Sequence, residues 1–109
     1  MKLDFTALYP RMLEAAKAVA GKRWPALEAY AEMQFIKLST ALVEIQRLHA
    51  AGTIDASRAH ALAVAEQRGV RTILAAIQGL GTLTVEKATH AATAAIAADV
   101  NKAVGFRLL

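Results

Sequence analysis

Few residues in this chain have the types and spacing that chemistry needs. Glu66 stands out. On a helical wheel at about 100° per residue it falls in the middle of an apolar arc, between Leu62 and Val70. A buried carboxylate needs a partner or a raised pKa. Arg47 and Arg68 are the first partners to consider, and one carboxylate without a companion defines no reaction. Glu28 and Glu32 form an i,i+4 pair, but acidic residues near a helix N-terminus complement the backbone dipole. A carboxylate-bridged metal pair inside a bundle needs Glu-x-x-His pairs facing inward, and the sequence contains none. His49, His60 and His90 are isolated, and His49, near a helix end at the edge of an apolar face, reads as a packing histidine. Cysteine is absent, which excludes disulfides, thiol catalysis and cysteine-ligated metals. Ser39 and Ser57 are the only serines, and neither lies in a Gly-x-Ser-x-Gly elbow. Gly79-x-Gly81 lacks the third glycine and the preceding strand of a dinucleotide loop. The expectation is a protein that is no enzyme, with no cofactor and no metal.

Composition therefore has to say what the chain does instead. Its 109 residues fit one domain, residues 1–109, with a core of its own. Hydrophobic residues make up 56% and charged residues 20%, which excludes disorder. Mean hydropathy is +0.34, high for a soluble monomer. About a quarter of the chain is alanine, the best helix former and a poor filler of space. Helices built this way must approach closely. The formal charge is +4 and the pI about 9.8, which permits weak attraction to anionic surfaces. The basic residues are scattered, and Lys22-Arg23 is the only adjacent pair. No apolar h-region follows Lys2, as a secretory signal would require. The longest uncharged run, Thr72 to Val85, is shorter than the roughly 20 residues of a membrane span. The expected location is the cytoplasm.

The elements that carry these residues read as helices throughout. A first helix is expected from about Tyr9 to Ala20, with Thr6 as N-cap, Pro10 in the first turn and Gly21 at the end. Pro25 opens a second, running to about Ala51. Its broad face holds Leu27, Ala31, Phe35, Leu38, Leu42, Ile45 and Leu48, with Tyr30 and Ala41. Gly52 suits a left-handed C-cap, Ile54 a hydrophobic clasp, and Asp55 the next N-cap. Leu48, Gly52, Ile54 and Asp55 resemble the generic Leu-x-x-x-Gly-x-Ile-Asp helical turn, which names no family. A long antiparallel hairpin with its tip at Gly52 to Ile54 follows.

The third helix is expected from about Asp55 to Gln78, burying Ala59, Leu62, Ala63, Gly69, Val70, Ile73, Ile77 and Leu80. Within it, Ala65 to Val70 resembles the Ala-x-x-x-Gly-Val turn of a helix-turn-helix. However, Gln78 stands where that motif wants an apolar residue, and no basic cluster follows. The simpler reading of Gly69 is a close-packing point inside one helix. Gly79 and Gly81 weaken the helix, and the apolar stripe changes phase across them. Either the chain breaks there, with Thr82 or Thr84 as cap, or one long helix changes partner; the phase change favours a break or kink. The last helix, Val85 to Val104, ends at Gly105 and leaves Phe106, Leu108 and Leu109 in need of cover, which a neighbouring subunit could give.

The fold class is thus all-α, an antiparallel hairpin or bundle of three to four helices with long central helices and an alanine-rich last one. Two features point outward. Met33, Ile36 and Val43, with Ala29, form a second stripe on the second helix, opposite the first. Ala88, Ala91, Ala95 and Ala98 follow the 3-4-3 spacing of a helix–helix seam. A helix with two apolar stripes needs cover on both sides. The functional expectation is a small structural or interaction protein that acts through self-association and protein binding, as a homodimer or higher oligomer. The alternative is a helical protein that associates with nucleic acid or an anionic membrane surface, motivated by the net charge, Lys22-Arg23-Trp24 and the apolar C-terminus.

Overall fold

The computed structural model describes residues 4–77 and 81–109. The chain is all-helical: α1 (Phe5–Ala20), a 3-10 turn (Gly21–Arg23), α2 (Trp24–Ala50), α3 (Ala56–Ala75) and α4 (Thr82–Val104). No strand occurs among the described residues. The helices pack in a ring: α1 against α2, α2 against α3, α3 against α4, and α4, most extensively, against α1. The bundle measures 43 × 22 × 18 Å, its long dimension set by α2, since 27 residues at about 1.5 Å each give roughly 40 Å.

α1 starts earlier than the sequence predicts. The carbonyl of Asp4 accepts from the N–H groups of Ala7 and Leu8, so Thr6 lies inside the helix and Pro10 in its second turn. A proline there removes one backbone bond. Buried Leu8, anchored in the core, explains why the extra turn forms anyway.

The α2–α3 turn forms where the sequence places it. Gly52 has φ +76°, its N–H bonds to the His49 carbonyl at 3.0 Å, and the Thr53 N–H reaches the Leu48 carbonyl at 2.9 Å. These two bonds make a Schellman motif. Ile54 packs against the core, and the Asp55 carboxylate accepts from the Arg58 N–H at 2.8 Å, capping α3.

α3 ends at Ala75, earlier than the expected Gln78, and α4 begins at Thr82, so these are two helices and not one long helix. Gly81 is the N-cap of α4 and no side chain caps it. Thr82 and Thr84 lie inside the helix and are not its cap. Gln78, Gly79 and Leu80 lie outside the described residues.

The core is made of stripes at three- and four-residue spacing. α1 contributes Leu8, Met12, Ala16 and Ala20; α2 contributes Trp24, Leu27, Ala31, Phe35, Leu38, Leu42 and Ile45; α4 contributes Val85, Ala88, Ala92, Ile96 and Val100. Arg11 of α1 pairs with Asp99 of α4 and also donates to the Ala95 carbonyl. With α1 and α4 antiparallel, that register sets Ala16 and Ala20 level with Ala92 and Ala88. Small side chains on both helices let these backbones approach closely. Two buried hydroxyls are satisfied: Ser39 of α2 donates across to the Met12 sulfur of α1 at 3.2 Å, and Thr89 donates within α4 to the Val85 carbonyl at 2.7 Å.

α3 is rotated from the expected orientation. It buries Ala59, Ala63, Val70 and Leu74, while Leu62, Gly69 and Ile73 face outward. A Cβ built on Gly69 meets nothing within 4 Å, so Gly69 is not a close-packing point. Residues 65–70 run straight through the helix, so they form no helix-turn-helix.

Candidate functional site

The rotation of α3 decides the fate of Glu66. Its arc is centred on Ala63 and Val70, so Glu66 sits at the edge, half-buried rather than enclosed. It has no hydrogen bond or ion pair among the described residues. Of its two expected partners, Arg47 is bound to Glu44 within α2, with Nε donating to a carboxylate oxygen at 2.9 Å, and Arg68 is exposed. Glu66 is therefore not a buried charge. Its apparent burial arose from counting Leu62 and Ile73 as core.

The remaining polar groups stay dispersed. Among the described residues no three His, Cys, Asp or Glu side chains come together in a way that could hold a metal. The Glu44 carboxyl lies below its ordinary pKa because Arg47 hydrogen-bonds its charged form. Tyr9 borders a shallow cleft between α1 and α2 that also meets Glu28 and Glu32. Its phenol is pushed up, first by desolvation and second by the Glu32 charge. Another cleft, between α3 and α4, is lined by Gln67, Arg71, Glu86 and His90. None of these groups forms a nucleophile–base pair.

Two of the three histidines serve the C-terminal segment. After Gly105 ends α4, the chain folds back over its own bundle. Leu108 is fully buried, and the His49 and Phe106 rings meet at 4.6 Å, tilted by 52°. His60 Nδ1 lies 3.1 Å from the Leu108 carbonyl, which it can meet only as a donor. The Asn101 side chain accepts from the N–H groups of Leu108 and Leu109 at 2.8 and 2.9 Å and donates to the Leu109 carbonyl at 3.3 Å. Leu108 thus finds its cover within the chain rather than from a neighbouring subunit, while Phe106 and Leu109 are half-buried. Asn101 is the residue that sequence reasoning missed. An amide one turn before a helix-ending glycine was the available signal.

The surface stripes differ sharply from one another. On α2, Met33 is 63% exposed and Ile36 is 42% exposed. Ala29 and Thr40 are open on the same face and Val43 is half-buried. Tyr30 flanks the face and is exposed rather than part of the core. Leu62 and Ile73 add exposed apolar surface on neighbouring α3. The alanine seam of α4 runs from core to solvent rather than lying wholly open: Ala88 is fully buried, Ala91 and Ala95 are half-buried, and Ala98 is exposed. Ala88 has no surface left to offer a neighbour. The stripe that packs in α4 is Val85, Ala88, Ala92, Ile96 and Val100, at four-residue steps after the first.

Gln34 is a further residue absent from the expected core. It is buried in α2 and its Oε1 has no hydrogen-bond partner. No described helix is long and apolar enough to cross a membrane. Comparison with protein-family models, curated proteins and solved structures finds no match for this chain, so the site has to be read from its own geometry.

Proposed function

We propose that the protein is a cytoplasmic structural or interaction module that acts by self-association and protein binding rather than by catalysis, with the outer face of α2 as its contact surface. The observation that carries this reading is the pair Met33 and Ile36, two large apolar side chains left open on the longest helix of the bundle. The opposite side of α2 already supplies the largest share of the core, so rotating the helix to hide them would expose Phe35 and Leu38. Covering the stripe requires another surface. A stable interface buries about 800 Å² per partner, and Ala29, Thr40 and Val43 on the same face of α2 extend the area.

Size-exclusion chromatography with light scattering tests the reading. A dimer or higher oligomer is expected at micromolar concentration. Ile36→Glu combined with Met33→Glu should return the chain to its 11.6 kDa monomer while the helical circular-dichroism spectrum is retained. A wild-type chain that runs as a monomer would overturn the proposal.

A further inference from the structure

The charges beside the α2 stripe specify how a second copy would sit on it. This step rests on self-association through α2. Lys37 and Glu44 lie seven residues apart on α2, and both are exposed. Seven residues are two helical turns, about 10.5 Å, so both side chains project on the same flank of the stripe. Ile36 and Val43 are also seven apart and share the other flank. Thr40, exposed and midway between them, lies at the centre of the face.

We infer that the occupant of the face is a second copy of this chain, packed antiparallel about a two-fold axis at Thr40. A parallel two-fold pair would turn the Lys37 and Glu44 flank onto the partner's Ile36 and Val43 flank, setting charged groups against apolar side chains with no opposite charge to meet. An antiparallel pair turned about Thr40 crosses them. Lys37 then faces the partner's Glu44, and Glu44 faces the partner's Lys37, because residues on one flank meet the same flank of an antiparallel copy. The same turn brings Ile36 against the partner's Val43 on the other flank. Met33 lies level with the aliphatic stem of the partner's Arg47, which can cover it. One axis position therefore satisfies the apolar and the charged residues together, as an isologous interface requires.

The test is a charge swap read by light scattering and by sedimentation. Lys37→Glu and Glu44→Lys, each alone, place two like-charge contacts in the interface and should weaken the dimer by roughly tenfold or more. The double variant restores both pairs in reversed sense and should recover wild-type affinity to within about threefold. Thermal melts of each variant report whether the bundle still folds. Independently, Thr40→Cys introduces a lone thiol into a chain that has no cysteine. Under mild oxidation it should form a disulfide-linked dimer, since residues on the axis come within bridging distance. Thr53→Cys, at the hairpin tip roughly 20 Å along the helix from the axis, should not. A wild-type dimer with unaffected single variants, an unrescued double variant or no Thr40 cross-link overturns the antiparallel register and leaves self-association standing. A monomeric wild-type chain overturns both.

Discussion

The C-terminal segment and the outer face of α2 pose the same physical problem and meet opposite outcomes. Each offers large apolar side chains beyond a helix that has already filled its share of the core. Leu108 is fully enclosed by its own chain, whereas Met33 remains 63% exposed. The difference lies in the backbone. After Gly105 the chain is free to turn, and Asn101 gives the peptide groups of Leu108 and Leu109 the partners they lose on burial. Met33 has no such freedom, because its position is fixed by a helix that needs its other side for the core. A segment that leaves its helix can turn back for cover within one molecule, but a straight helix cannot turn both faces inward.

The most direct way to break the comparison is to unseat the enclosed side. Leu108→Ala removes a fully buried leucine, and a loss of about 2–5 kcal/mol is expected in urea or thermal unfolding. A loss below about 0.5 kcal/mol would mean that the segment is no part of the folded core. Asn101→Ala should cost less, about 1–3 kcal/mol, since it strips three hydrogen bonds while leaving Leu108 intact. Hydrogen exchange should sharpen this result. The amides of Leu108 and Leu109 should lose protection in Asn101→Ala, while the amides of α2 should not.

The same contrast explains what the sequence could disclose. The helices, the Gly52 turn, the Asp55 cap and the Gly105 terminus are written in local chemistry, so each was readable from a few adjacent residues. The phase of α3 is not local. Ala59, Ala63 and Val70 are in the core as expected, but Leu62, Gly69 and Ile73 compete with Leu74 for the rest of it on nearly equal terms, and only the directions of α2 and α4 decide between them. The half-buried position of Glu66 follows from that phase. The depth of the alanine seam, and the full burial of Ala88, escaped the sequence for a related reason. Alanine occurs so often in α4 that several spacings fit, and Val85, Ile96 and Val100 selected the four-residue one by size. The tail clasp depends on Asn101 meeting backbone seven and eight residues later, a contact that periodicity does not encode. The open stripe on α2 was legible because its opposite face was unambiguous: Phe35, Leu38 and Leu42 leave no other orientation.

Gly69 offers a smaller test of the outward side. It lies inside α3, faces outward, and a Cβ there has open space. Gly69→Ala should therefore stabilise the protein by about 0.5–1 kcal/mol, through helix propensity and a less disordered unfolded chain. Chemical denaturation reads it directly. A destabilised Gly69→Ala protein would place this face against something solid, in the chain or in a second copy. Measuring the change across a concentration series separates the two, because only a subunit contact makes the effect depend on dilution.

The smallest expected effect is the most discriminating. Ile36→Ser and Met33→Ser alter side chains that lie outside the core, so at concentrations where the chain is monomeric each should shift stability by no more than about 1 kcal/mol. Leu38→Ser, two residues further along on the core side, should cost several times more, because it leaves a cavity and buries a hydroxyl. At high concentration the two surface variants should separate from the wild type, whose melting temperature rises with association while theirs does not. If Ile36→Ser and Met33→Ser instead lowered stability equally at every concentration, the stripe would be supporting its own fold, and α2 would have only one working face.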